Sequence, residues 1–202
     1  MHGMIIRSFE GFLRNTYGPQ LWDALICGLD AGIDGFEPMF HYDDVLAARL
    51  VTAAARRLGK PRGALLEDFG TYLVAHPASE RVRRLLRFGG VNYEDFLLSL
   101  EDLAGRARLA VPDLDLPELE LTDCGAGEYR VSFTRPPPGA PQVFLGLLRA
   151  VADDYGALVI ADYTGAPGAR AGISLRLLKA DFAEGKGFRL AARATGRAER
   201  TA

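Results

Sequence analysis

Apolar residues recur at helical spacing through roughly the first half of the chain and alternate with polar ones in much of the remainder. Ile5, Phe9, Phe12 and Leu13 predict one buried face of a helix from Met4 to about Tyr17, which Gly18-Pro19 ends. Pro19 opens a second helix, whose Leu21, Trp22, Leu25, Ile26 and Leu29 form a wide apolar stripe. Cys27 lies in that stripe and reads as a small core residue. "DAGIDGFEPMF" reads as a loop. Asp43 and Asp44 mark the start of a third helix, and Arg56, Arg57 and Gly59 mark its end. "PRGALLEDFGTYLVAHP" and "SERVRRLLRFGG" predict two more helices, the second capped by Ser79. Asn92 with Asp95 forms a capping arrangement ahead of a further helix, "FLLSLEDLAGRARL".

The period changes after Pro112. Residues 119–135, "LELTDCGAGEYRVSFTR", alternate on either side of a glycine-bearing turn, as a hairpin requires. "PPPGAPQ" is a stiff connector into a helix, "VFLGLLRAVADDYG", and "ALVIADYT" and "GISLRLLKADF" read as two further strands. The fold class is therefore α+β. A helical lobe of about residues 1–111 joins a lobe of about 112–185 that carries an antiparallel sheet with a packed helix, and the two make one domain, 1–185. Residues 186–202 are basic and rich in small side chains and are expected to fray.

Composition acts mainly by exclusion. The 202 residues are 49% hydrophobic and 25% charged, with a net charge of −2, which gives no electrostatic case for nucleic acid or an anionic membrane as partner. Cys27 and Cys124 stand far apart without metal-ligand spacing, and no apolar run reaches the roughly 18 residues of a membrane span. No signal-peptide pattern is visible at the start, so a cytoplasmic location is expected. Glu67-Asp68, Glu101-Asp102 and Asp153-Asp154 read as solvated helix faces, because sequence neighbours on a helix point in different directions. No catalytic constellation appears, and an enzyme is not expected.

Four stretches, "MHGMIIRSFEGFLRNTYGPQLW", "YDDVLAARLVTAAARRLGKPRGALLEDFGTYL", "FGGVNYEDFLLSLEDL" and "VFLGLLRAVADDYG", together resemble the haem nitric-oxide/oxygen-binding domain, H-NOX. That domain is the sensor module of soluble guanylate cyclases and of standalone bacterial proteins. The resemblance runs in matching order over roughly residues 1–182. It implies haem between a helical distal lobe and an α/β proximal lobe. In the family, a histidine on the helix before the connecting turn ligates the iron; an ungapped alignment puts Ala104 there, and a methyl group cannot ligate iron. Phe96, Leu100, Leu103, Ala104 and Ala107 share one helical face, so position 104 is expected to point inward.

The family's Tyr-x-Ser-x-Arg, which holds the haem propionates, aligns with "VSFTR". Val131 and Phe133 take the Tyr and Ser positions, and Arg135 alone retains a carboxylate-binding group. Tyr129 shares the face of Arg135, two positions too early. Pro117 matches a proline that packs on the haem, and Ile5 matches a distal apolar position. Without a distal tyrosine on "VFLGLL", nitric oxide suits a haem-bearing form better than oxygen.

Among other ligands, His76 is either a substitute axial ligand or a helix-terminal histidine favourable to the dipole. His41 lies in a loop, His2 receives no role, and Met39 and Cys27 are formal alternatives. Two functions compete: a haem-based gas sensor with a relocated ligand, or a haem-free signalling module, as occurs among family subunits that lack the histidine. The missing ligand and propionate contacts favour the second. By resemblance, the partner would be a separate histidine kinase or cyclic-dinucleotide enzyme.

Overall fold

The computed structural model describes residues 1–29, 35–165 and 171–187. Eight α-helices come from these residues: α1 (Gly3–Tyr17), α2 (Pro19–Leu29), α3 (Asp44–Leu58), α4 (Arg62–Ala75), α5 (Glu80–Arg87), α6 (Tyr93–Leu98), α7 (Leu103–Ala110) and α8 (Ala140–Tyr155). Four strands, β1 (Glu118–Gly125), β2 (Glu128–Thr134), β3 (Leu158–Tyr163) and β4 (Gly172–Lys179), make one antiparallel sheet in the order β1-β2-β4-β3. The fold is thus α+β, as the periodicities require. The basic tail falls, from residue 188 on, outside the described residues.

Local chemistry fixes most element ends. Asp43 Oδ1 accepts from the Val45 N–H at 2.8 Å to start α3, and Gly59, at φ 63°, ends it in the left-handed conformation. Asn92 caps α6 through the Asp95 N–H at 2.8 Å. Ser79 makes no capping side-chain bond at α5. Instead the His76 Nδ1 accepts from the Ala78 N–H at 3.1 Å, capping a 3-10 turn, Pro77–Ser79, that leads into the helix. The predicted "FLLSLEDLAGRARL" helix is two helices, α6 and α7, separated by a 3-10 turn at Leu100–Asp102. Such a turn rotates each residue further than an α-turn, so it resets which side chains of α7 face inward.

His2, to which the sequence assigned nothing, caps α1: its Nδ1 accepts from the Met4 N–H at 3.1 Å, and its ring is buried against His41. Its Nε2 is buried without a hydrogen-bond partner. Burial first, then His41, holds this imidazole below its ordinary value, with Asp113 opposing. The unfolded chain therefore takes up the proton at about pH 6.5 while the native chain does so only at lower pH. Stability is expected to fall as pH drops through that window. Urea midpoints at about pH 7.5 and pH 5.5 measure it. His2→Asn, which keeps a capping acceptor, should flatten the slope; an unchanged slope assigns it to other groups.

Two cores form. Ile6, Phe9, Phe12, Trp22, Leu50 and Phe69 belong to the one built by α1–α4. The other gathers Phe96, Leu100 and Leu103 with the inward sheet residues Val131, Phe133 and Ile173 and with Leu148 of α8. Helices α5–α7 thus share a core with the sheet, so the division between cores precedes the change of period at Pro112. Helices α4 and α8 join the two halves backbone to backbone. A Cβ at Gly70 would lie 1.9 Å from the Val143 carbonyl oxygen, and one at Gly146 would lie 1.9 Å from that of Glu67.

Among the acidic pairs, Glu101, Asp102 and Asp153 are exposed as their spacing suggests and Glu67 and Asp68 are half-buried, but Asp154 departs from the pattern. Asp154 is only 2% exposed, with the Arg83 Nε at 3.1 and 3.0 Å from its two carboxylate oxygens and Arg87 at 3.7 Å. The neighbouring elements α5 and α8 supply these charges, a pairing that positions along one helix cannot reveal. Cys27 is exposed, because the buried face of α2 runs through Trp22, Leu25 and Leu29 and turns past it.

Candidate functional site

Beside the α4–α8 crossing lies an apolar cavity of about 270 Å³. Helix α1 contributes Met4, Ile5 and Phe9; α3 contributes Leu50 and Val51. The crossing itself supplies Leu66 and Phe69 from α4 and Val143, Phe144 and Leu147 from α8. Val82, Leu85 and Leu86 of α5 close another side, with Leu103 of α7 and the segment Leu114–Pro117. Residues from both cores therefore share the wall. Among the described residues, the polar side chains on its wall are those of Ser8, Asp44, Arg62 and Asp115.

The sequence-predicted residues separate into three groups. Ile5 and Pro117 line the cavity. Ala104 is buried, 7% exposed, on the inward face with Phe96, Leu100, Leu103 and Ala107, but Leu103 rather than Ala104 forms the wall. Val131 and Phe133 are buried in the sheet core, where Phe133 meets Phe144 edge to face at a centroid distance of 5.5 Å. Phe133 thus fills space behind Phe144 rather than the cavity.

Arg135 and His76 lie elsewhere. Arg135 follows the end of β2 at φ 45° and is exposed, so strand alternation no longer governs its direction, and it does not line the cavity. Tyr129, on the inward face of β2, donates its hydroxyl to Glu94 Oε1 at 3.4 Å. The His76 ring stacks on Tyr72 at 4.6 Å and 22°, its Nδ1 engaged by Ala78, and it is not part of the wall. Met39 is exposed and lies apart.

These positions test the fit of a haem. Among the described residues, no histidine, cysteine, tyrosine or lysine lines the cavity. Its only soft donors are the thioethers of Met1 and Met4. Cytochromes c pair their methionine ligand with a histidine, which this wall lacks among the described residues. The volume, about 270 Å³, falls below the ~300–1,000 Å³ usual for drug-sized ligands, and a porphyrin is larger than most of these. The residues present do not fit an axially ligated haem.

Sequence reasoning missed Arg62. It is exposed, begins α4 and lines the cavity, and it makes no hydrogen bond or ion pair among the described residues. An arginine in a helix's first turn, where acids are favoured, was the available signal.

Similar folds occur in solved structures. An H-NOX protein from S. oneidensis in the Fe(II) ligation state matches with a TM-score of 0.77 at 16% identity, over 89% of this chain and 97% of that one. An oxygen-binding H-NOX domain related to soluble guanylate cyclases matches with a TM-score of 0.66 at 16% identity, over 93% and 100%. At such identity the likeness is one of fold. Soluble guanylate cyclase 89Da of Drosophila melanogaster is 22% identical over 163 residues, 81% of this chain and 24% of the cyclase. Soluble guanylate cyclase gcy-35 of Caenorhabditis elegans is 29% identical over 105 residues, 51% of this chain and 15% of that protein. The chain thus spans a quarter or less of the cyclases it matches. The Haem-NO-binding family model covers residues 2–160, and with the fold and the interlobe cavity in agreement, the chain belongs to the Haem-NO-binding, or H-NOX, family.

Proposed function

We propose that this H-NOX domain senses through its interlobe cavity without an iron–protein bond and passes the cavity's state to a separate signalling protein. The observation that carries the reading is a cavity wall without an imidazole among the described residues, beside the buried methyl group of Ala104, the position that the resemblance aligns with the family's histidine. Arg135, the one propionate-binding group that the resemblance retains, is exposed and does not line the cavity, which supports the same reading.

The wall draws on both cores, so a molecule that binds there with different affinity in two lobe arrangements shifts their populations. The α4–α8 crossing, in backbone contact at Gly70 and Gly146, forms one edge of the cavity, and α5, α7 and the Leu114–Pro117 segment form other parts of its wall. The partner expected by resemblance is a histidine kinase or a cyclic-dinucleotide enzyme in the cytoplasm. Among the described residues, no helix is long and apolar enough to cross a membrane.

Titrating the purified protein with haemin tests this reading. A broad absorption increase without saturation, unchanged by nitric oxide and by His76→Ala, is expected. A sharp Soret band saturating at one haemin per chain and moving with nitric oxide contradicts it.

A further inference from the structure

The interlobe cavity has an apolar body and a single uncommitted charge at its wall. Of the charged side chains on the wall, Asp44 lies 2.7 Å from the Met1 ammonium, and Asp115 lies 3.8 Å from Arg108. Arg62 has no such partner among the described residues. It sits in the first turn of α4, a turn without an acid or a side-chain cap, where its charge opposes the helix dipole. An anion beside Arg62 relieves that opposition and accepts hydrogen bonds from its planar fork. Gly139 and Ala140, at the start of α8, line the same cavity, and Gly63 next to Arg62 faces Gln142. Arg62 therefore stands where the α4 and α8 starts meet, on the rim, and the Leu, Val and Phe side chains of the crossing lie deeper in.

We infer that the cavity binds a medium-chain aliphatic carboxylate, its chain among Leu66, Phe69, Val143 and Leu147 and its carboxylate on Arg62. The inference rests on the haem-independent reading. An exposed arginine lets the carboxylate stay hydrated while the chain leaves water, so burial of the chain supplies most of the affinity and the head group sets selectivity. A volume near 270 Å³ suits a flexible chain of this length better than a rigid macrocycle.

Calorimetric titration with decanoate, decanol and decyltrimethylammonium, each below its micellar concentration, tests the assignment. Decanoate is expected to bind about two- to fivefold more tightly than decanol and the ammonium more weakly than either, as one solvent-facing ion pair allows. Arg62→Gln should bring decanoate to the level of decanol and leave decanol unchanged. Val51→Trp, which fills the cavity, should abolish both; Arg62→Gln, at an exposed position, decides the matter if that variant does not fold. Equal binding of decanoate and decanol by the unaltered protein, or no effect of Arg62→Gln, overturns the role of Arg62. Binding of none of the three overturns the ligand class. Stoichiometric haemin binding with a Soret band that moves with nitric oxide overturns the haem-independent reading instead, which keeps the two failures distinct.

Discussion

Gly146→Ala is expected to lower the thermal midpoint by roughly 5–10 °C, a loss of about 3 kcal/mol at the sensitivity usual for domains of this size. Two effects compete. Alanine is the better helix former by about 1 kcal/mol, which alone would raise stability. Against this, the new Cβ would fall 1.9 Å from the Glu67 carbonyl oxygen and 2.7 Å from its carbon, and backbone atoms of α4 cannot rotate away as a side chain would. Helices α4 and α8 must separate, and the cavity wall they share must loosen. Overpacking of this kind costs about 1–3 kcal/mol where side chains yield, and a backbone obstacle puts it at the upper end or beyond. Gly105→Ala provides the contrast. It lies exposed in α7 with nothing within 4 Å of its added Cβ, so propensity acts alone and stability should rise by about 0.5–1 kcal/mol. Opposite signs for the two substitutions, read from thermal or urea unfolding, identify the crossing as the cause; a stabilised Gly146→Ala protein would show that the helices do not touch.

Asp154→Ala is expected to cost about 3 kcal/mol, near the lower end of what breaking a buried ion pair costs. The carboxylate is almost fully enclosed and faces two guanidinium groups, while Arg83 and Arg87 keep 17% and 14% exposure and so recover some hydration when it is removed. The hydrogen bond from Arg83 to Asp154 holds that guanidinium above its ordinary value, and because a guanidinium stays charged in proteins with or without such a bond, removing Asp154 leaves positive charge uncompensated. Asp154→Asn, which keeps an acceptor without the charge, should lose less. The pair ties α5 to the C-terminal end of α8, so destabilisation should appear first as faster amide exchange in α5. If Asp154→Ala and Asp154→Asn both proved neutral in urea unfolding, the pair would not hold these helices together.

Much of the fold was legible because single-residue signals coincide with element ends. Asp43, Gly59 and Asn92 act as the caps that their chemistry suggests, and the alternation of Tyr129, Val131 and Phe133 places them on the inward face of β2. What the pattern missed involves contacts between elements. The burial of Asp154 comes from arginines seventy-one and sixty-seven positions away, and the closeness of α4 and α8 depends on two glycines in different helices. The break at Leu100–Asp102 and the positive φ of Arg135 are backbone events, and each changes where the next side chains point. The cavity's composition follows the same rule. Ile5 and Pro117 could be placed on it from sequence through the family resemblance, whereas Arg62 could be noticed only as an arginine in an unfavourable helix turn.

The proposed haem-independent sensing rests on an interlobe cavity whose wall carries no histidine, cysteine, tyrosine or lysine among the described residues. The most direct measurement is the haem content of the chain purified from cells supplied with a haem precursor, by the pyridine haemochromogen assay. Far less than one haem per chain, with no Soret maximum that responds to nitric oxide, is expected. One haem retained per chain through purification, with a Soret band shifted by nitric oxide, would contradict it.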